Sequence, residues 1–266
     1  TGIADNAAVN HVAAVHDDFV RRFAPKAILI GETGWPSHGR QRETAVPSRI
    51  NEASFMRGFV ALAEDNGWQY NLIEAFDQPW KRANEGAVGG YWGLFDADRQ
   101  DKGVLAGPVS NLPDWQFWLT LSLAMAAPLL LIFGWPRART AALTLPPLAL
   151  LAGACAALWL LLGLRDNRDG GEWAWTCAMF ALNLIALLHA ALASNGAAGW
   201  RQKLSAGHRR YGYLGLLLTG FAGALLMAEL VLDARYRQFP SYILLVPGLV
   251  YLRWPVVAPR RETLLL

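Results

Sequence analysis

The sequence predicts an α/β fold, the C-terminal portion of a (β/α)8 TIM barrel, followed by a polytopic α-helical transmembrane region. Three observations carry this. Up to about Trp115 charged residues are spread evenly, whereas beyond it uncharged apolar blocks alternate with short basic loops. Helix-type and strand-type patterns alternate twice within the first eighty residues. Four later blocks are each long enough to cross a hydrocarbon core about 30 Å thick. The expected domains are therefore residues 1–112 and 113–266.

The first helix is expected over Ala7 to Phe23, where Val9, Val12, Ala13, Val15, Phe19, Val20 and Phe23 recur at mostly three- and four-residue spacing and Asp5 or Asn6 offers a cap. After Pro25 the continuous apolar run from Ala27 to Gly31 reads as a strand buried on both faces of a parallel sheet, ending at Glu32. Asn51 to Asp65 gives a second amphipathic helix. Its inward candidates are Ala53, Phe55, Met56, Phe59, Val60, Leu62 and Ala63; Asn51 reads as its cap, and Asn66-Gly67 closes it. Tyr70 to Phe76 reads as a second strand and delivers Asp77, Gln78, Trp80 and Lys81 at its C-terminal end. With a strand remnant at Thr1 to Ile3, these pieces cannot close eight strands, which take roughly 250 residues. The opening Thr-Gly-Ile-Ala-Asp-Asn, without Met or leader, reads as the middle of a longer protein.

Beyond Trp115 the expected spans are Trp115 to Pro136, Ala141 to Leu164, Trp173 to Asn195 and Tyr211 to Leu232, with Ser241 to Leu252 as a fifth segment that is a tilted span, a re-entrant piece or an interfacial helix. Five spans with the first region outside put Arg137, Arg139, Arg201, Lys203, Arg209, Arg210, Arg253, Arg260 and Arg261 inside, against Arg165, Arg168, Arg235 and Arg237 outside. This bias places the first region on the extracytoplasmic side of the membrane. Trp115, Trp118, Trp135, Trp173, Trp175 and Tyr211 fit an interfacial belt. Topology thus explains the formal charge of +3 better than nucleic-acid binding, for which no basic-aromatic motif is present. Asn183, His189 and Glu229 read as helix-helix hydrogen bonders or snorkelling groups. Cys155 and Cys177 sit in apolar blocks as small buried hydrophobes, with neither disulfide nor zinc spacing.

Chemistry is expected where barrel strands end. Gly31-Glu32-Thr33-Gly34-Trp35-Pro36-Ser37 combines a carboxylate at a strand end, a glycine-bearing turn and an indole: a nucleophile for an anomeric carbon and a flat surface for a sugar ring. A second stretch runs Phe76-Asp77-Gln78-Pro79-Trp80-Lys81, then Glu85, then Tyr91-Trp92-Gly93-Leu94-Phe95-Asp96. Together they resemble family 17 glycoside hydrolases, the β-1,3-glucanases, and with the attached membrane part look most like the bacterial β-glucan synthase or transglycosylase branch. The resemblance implies Glu32 as nucleophile, Lys81 and Glu85 as binding or charge-tuning groups, and retention of configuration by two carboxyls about 5 to 5.5 Å apart. It also implies that the acid/base glutamate comes from a strand earlier in the barrel. From the residues themselves, Asp77 and Gln78 are candidates for sugar hydroxyls, Trp35 and Trp80 for stacking, and Glu74 for either a direct role or a structural pair with Lys81 or Arg82. His38, Arg40 and Arg42 read as a solvated loop face.

The expected function is thus membrane-anchored hydrolysis or transglycosylation of β-1,3-glucan. The alternative is a membrane scaffold that binds or exports glucan without catalysis. The expected partners are β-glucan and the lipid bilayer, with no nucleic acid. No metal, nucleotide or flavin motif occurs, so no cofactor is expected.

Overall fold

The computed structural model of the chain describes residues 2–133, 139–194, 208–232 and 241–256. It divides into two compact units, the first centred on Thr1–Pro113 and the second on Asp114–Leu164 and Gly170–Leu232.

In the first unit, helix α1 (Asp5–Phe23) begins one residue after Ala4, which makes no side-chain cap; Asp5 lies in the first turn and Arg21 and Arg22 in the last, complementing the helix dipole instead. Its apolar stripe is used only in part. Ala8, Val9 and Val12 pack into the core, whereas Val15, Phe19, Val20 and Phe23 stay 42–47% exposed; in this half of the helix His16 stacks on Trp68 instead. Residues 2–4 are not a strand: the Gly2 carbonyl accepts from Thr44 N at 3.1 Å.

Strand β1 (Leu29–Thr33) and strand β2 (Gln69–Leu72) pair in parallel through the crossover helix α2 (Arg49–Asn66). The helix starts at Ser48 rather than Asn51. Ser48 Oγ accepts from Asn51 N at 3.0 Å, because a capping side chain reaches the amide three residues on. Gly67 closes it as expected, its N–H on the Ala63 and Glu64 carbonyls. Ala53, Phe55, Met56, Phe59 and Ala63 are buried; Val60 and Leu62 are only half-buried. Met56 and Phe59 lie wholly out of water, each worth about 1.5–3 kcal/mol of burial.

The strands are not buried on both faces. Leu29 is 56% exposed, and Gly31 and Glu32 are also open, because the described helices cover one face of the sheet. The pairing runs Leu29↔Gln69, Ile30↔Tyr70 and then Thr33↔Leu72. Two residues, Gly31 and Glu32, thus stand against Asn71 alone, a bulge-like offset of the kind that re-aims a side chain. The predicted strand from Tyr70 to Phe76 is regular only to Leu72 because the chain changes partner: Ile73 N still bonds Thr33 O, but Glu74 N bonds Trp92 O and Phe95 N bonds Ala75 O. After β2 come a 3-10 turn (Pro79–Lys81) and the single-turn helix α3 (Arg82–Glu85).

The second unit is helical: α4 (Trp115–Phe133), α5 (Arg139–Asp166), α6 (Gly170–Ser194), α7 (His208–Leu232) and α8 (Ser241–Arg253). Within it, Leu143–Asp166, Gly170–Ser194 and Tyr211–Leu232 are long and apolar enough to cross a membrane; Trp115–Leu131 and Tyr242–Arg253 are shorter apolar helices. Pro136, Asn195 and the basic residues Arg137, Arg201, Lys203, Arg235, Arg237, Arg260 and Arg261 lie outside the described residues. Leu145, Ala149, Ala186, Ala190, Val246 and Val250 form a fully sequestered seam between α5, α6 and α8. Asn183 Nδ2 donates to Ile243 O at 3.0 Å and His189 Nε2 lies 3.0 Å from Trp254 O, the helix-bridging use expected of them. Glu229 is exposed. Cys155 is buried, but Cys177 faces outward, since its position on α6 points away from the neighbouring helices.

Candidate active site

Glu32 is the penultimate residue of β1 and exposed, on the bulge just described. Gly34 follows because the loop must press against the segment after β2: a Cβ there would run into the Ile73 carbonyl and the Trp92 ring. Gly93 answers from the other side, where a Cβ would strike the Asp77 amide and Phe76. Gly34 thus lets the Glu32 loop lie on Ile73, and Gly93 lets the segment around it lie on Phe76 and Asp77. The approach is sealed by Ser37 N on Tyr91 O at 2.8 Å and Leu94 N on Glu74 O at 2.8 Å.

At this junction the Glu74 Oε2 atom accepts from Gln78 Nε2 at 2.6 Å and from Lys81 Nζ at 2.7 Å. Glu74 thus takes the structural option, pairing with Lys81. The hydrogen bond that Lys81 donates to Glu74 raises the Lys81 pKa, and the fields of Glu74, Glu85 and Glu32 raise it further, so the ammonium stays charged across neutral pH. One cation therefore sits among the carboxylates of Glu32, Glu74 and Glu85. Beside it the Trp80 indole is 67% exposed, with Lys81 Nζ 5.9 Å from its ring centroid. Glu32, Gln78, Trp80, Lys81 and Glu85 are brought to one place.

Two expected site residues turn inward. Trp35 is 7% exposed, its Nε1 donates to Val46 O at 3.1 Å and its ring packs on Phe55, so it supports the loop from below rather than offering a face. Asp77 is also buried: Oδ1 accepts from Gly93 N at 2.9 Å and from Lys102 Nζ at 3.0 Å, so the carboxyl is committed to internal partners. Both lie in loops beyond the strand ends, where Trp35, Pro36 and Ser37 are buried in succession and Asp77 turns onto Lys102.

Lys102 is the residue that sequence reading missed. Its ammonium has three protons and finds three acceptors, Ser37 Oγ at 3.0 Å, Glu52 Oε1 at 3.2 Å and Asp77 Oδ1 at 3.0 Å, with only 1% of its side chain exposed. Burial pushes Glu52 up to about 8 against the opposing pull of Lys102, and raises Asp77 in the same direction. Glu52 is thus mostly neutral at pH 7. Glu52 Oε2, buried without a hydrogen-bond partner among the described residues, is tolerable in that neutral form. His38 belongs here rather than to a solvated face: Nδ1 lies 3.0 Å from Ser37 Oγ, the ring leans on Tyr91, and burial holds its pKa down at about 3. The partners of Lys102 lie 25, 50 and 65 residues away, and a lone lysine in a polar stretch carries no periodic signal of such burial.

Comparison with known proteins bears on this junction. Residues 1–93 match the BtgE/BtgC glycoside hydrolase domain. A glucan 1,3-beta-glucosidase of Candida albicans is 37% identical over 75 residues, 26% of this chain and 23% of that protein. One from Saccharomyces cerevisiae is 37% identical over 70 residues, 25% of this chain and 22% of the relative. A probable glucan endo-1,3-beta-glucosidase of Aspergillus clavatus is 34% identical over 108 residues, 35% and 15% of the two chains. The chain thus spans less than a quarter of the length of these relatives. Among solved structures, a glycoside hydrolase family 17 beta-1,3-glucanosyltransferase from Rhizomucor miehei aligns at a TM-score of 0.37 and 26% identity, over 40% of each chain.

Proposed function

We propose that this chain carries the nucleophile side of a retaining β-1,3-glucan-processing site, mounted on a membrane anchor. The observation that carries the reading is the exposed Glu32 on the β1 bulge, sharing the field of one charged lysine with Glu74 and Glu85 beside an open indole. A Glu32 oxygen bonds the anomeric carbon as the glycosidic C–O bond breaks; the departing oxygen takes a proton from an acid/base carboxyl outside the first unit. A water or sugar hydroxyl then attacks the same carbon, releases Glu32, and returns a proton to that carboxyl. Lys81 restrains Glu74 beside Glu32, and Trp80 receives a sugar ring. The similarity of the first region to β-1,3-glucan-processing relatives supports the substrate class.

The helical unit is read as the anchor. Supporting this are its three long apolar helices and the outward Leu131, Phe221 and Leu232, 81%, 62% and 85% exposed, which suit lipid better than water. The loop charge bias supports a site outside the cytoplasm.

The test uses the full-length protein, laminari-oligosaccharides and Glu32→Gln. Turnover should fall on the order of a thousandfold or more while the α2 fold is kept, and a 2-fluoro glycosyl donor should label Glu32 in the wild type. Longer or branched products indicate transfer to sugar, and shorter ones alone indicate hydrolysis. Unchanged turnover in the variant, or a label elsewhere, removes the nucleophile assignment.

A further inference from the structure

We propose that Lys102 is a positioning residue for the candidate active site: its buried ammonium ties the loop after β1, helix α2 and the segment after β2 into one piece, fixing Glu32 relative to the Glu74–Lys81 cluster. This rests on Glu32 being the nucleophile.

The three acceptors come from the three elements whose relative placement defines the site. Ser37 is five residues beyond Glu32 on the loop that Gly34 presses against Ile73. Asp77 is followed directly by Gln78, which holds Glu74 at 2.6 Å, and by the turn that carries Trp80 and Lys81. Glu52 lies in α2, the crossover that joins the two strands. Around this hub the backbone closes the same seam: Ser37 N and Ser37 Oγ both donate to Tyr91 O, and Gly93 N donates to Asp77 Oδ1.

None of the four side chains can meet a sugar. Ser37 is 1% exposed, Glu52 0%, Lys102 5% and Asp77 8%. Any effect they have on turnover is transmitted through position. A nearby apolar core, including Phe55, Met56 and Val104, would hold α2 in place without them. The ion cluster therefore adds something that packing alone does not. Apolar contacts are non-directional, whereas three hydrogen bonds from one ammonium set where two loops stand with tolerances of a few tenths of an ångström. Reaction at an anomeric carbon is sensitive to displacements of that order.

A neutral replacement of the whole cluster separates the structural role from the positioning role. In the full-length protein, Lys102→Met combined with Glu52→Gln and Asp77→Asn leaves no uncompensated buried charge, so amide protection along α2 should stay near that of the wild type. With the tie gone, kcat on laminari-oligosaccharides should fall at least about tenfold with KM within about twofold, and amides of residues 34–39 and 76–82 should exchange faster. Wild-type kcat together with wild-type protection of those loops would overturn the proposal. Ser37→Ala removes the Ser37 limb, together with the Oγ contacts to Tyr91 O and His38, without touching a charge, and should lower kcat several-fold at unchanged α2 protection. An unchanged kcat there would likewise overturn it, even if the triple variant failed to fold. The nucleophile reading fails separately, through full turnover in Glu32→Gln, which leaves the loop-exchange result standing on its own.

Discussion

Replacing Glu52 by Gln should make the first unit more stable in mild alkali and flatten its response to pH. In the folded protein burial holds the Glu52 carboxyl up at about 8, while an unfolded chain releases the same proton near the ordinary glutamate value of 4.5. The folded state therefore binds more protons than the unfolded state across that window, and stability falls as pH rises. A tenfold difference in proton affinity between the two states is worth about 1.4 kcal/mol, so the ceiling is roughly 5 kcal/mol between about pH 4.5 and 8, with Asp77 raised in the same sense. Against a typical domain stability of about 5–15 kcal/mol this is a large slope. Gln keeps the acceptor for Lys102 and has no proton to lose. Hydrogen exchange of the α2 amides, corrected for intrinsic rates, reads this unit alone. Near pH 5 the two proteins should agree within about 1 kcal/mol, and at pH 8.5 the variant should be better protected by several kcal/mol. Parallel pH slopes in the two proteins, or a wild type that gains protection from pH 5 to 8, would refute the assignment of a neutral buried Glu52.

Two further outcomes follow from the site geometry. Trp80→Ala removes an exposed ring and no core contact, so KM for laminari-oligosaccharides should rise about fivefold, near 1 kcal/mol of stacking, with α2 protection unchanged; an unaltered KM in steady-state assays would remove Trp80 from the binding surface. Gly34→Ala sets a methyl against the Ile73 carbonyl and the Trp92 ring, so thermal or denaturant unfolding of the first unit should show a loss of about 1–3 kcal/mol, accompanied by reduced turnover. A neutral effect on both would mean that the two loops do not press together as described.

The sequence by itself determined the local elements and which residues stand at their ends. The period of Phe55, Met56, Phe59 and Ala63 placed α2; Gly67 stopped it; the apolar run before Glu32 placed β1 within two residues; and the carboxylate-glycine-indole order marked the site. These signals are short-range, written within one turn or one strand, so they survive without knowledge of the fold. What tertiary structure alone decided was which way the flanking residues face. The offset between Ile30 and Thr33 opened Glu32, the change of pairing partner after Leu72 ended β2 early, and the inward turn of Trp35 and Asp77 took both from the exposed surface. Lys102 is the sharpest case. Its burial depends on Ser37, Glu52 and Asp77 meeting from distant parts of the chain, and an ammonium can leave water only where all its protons find acceptors, a condition that no window of neighbouring residues contains.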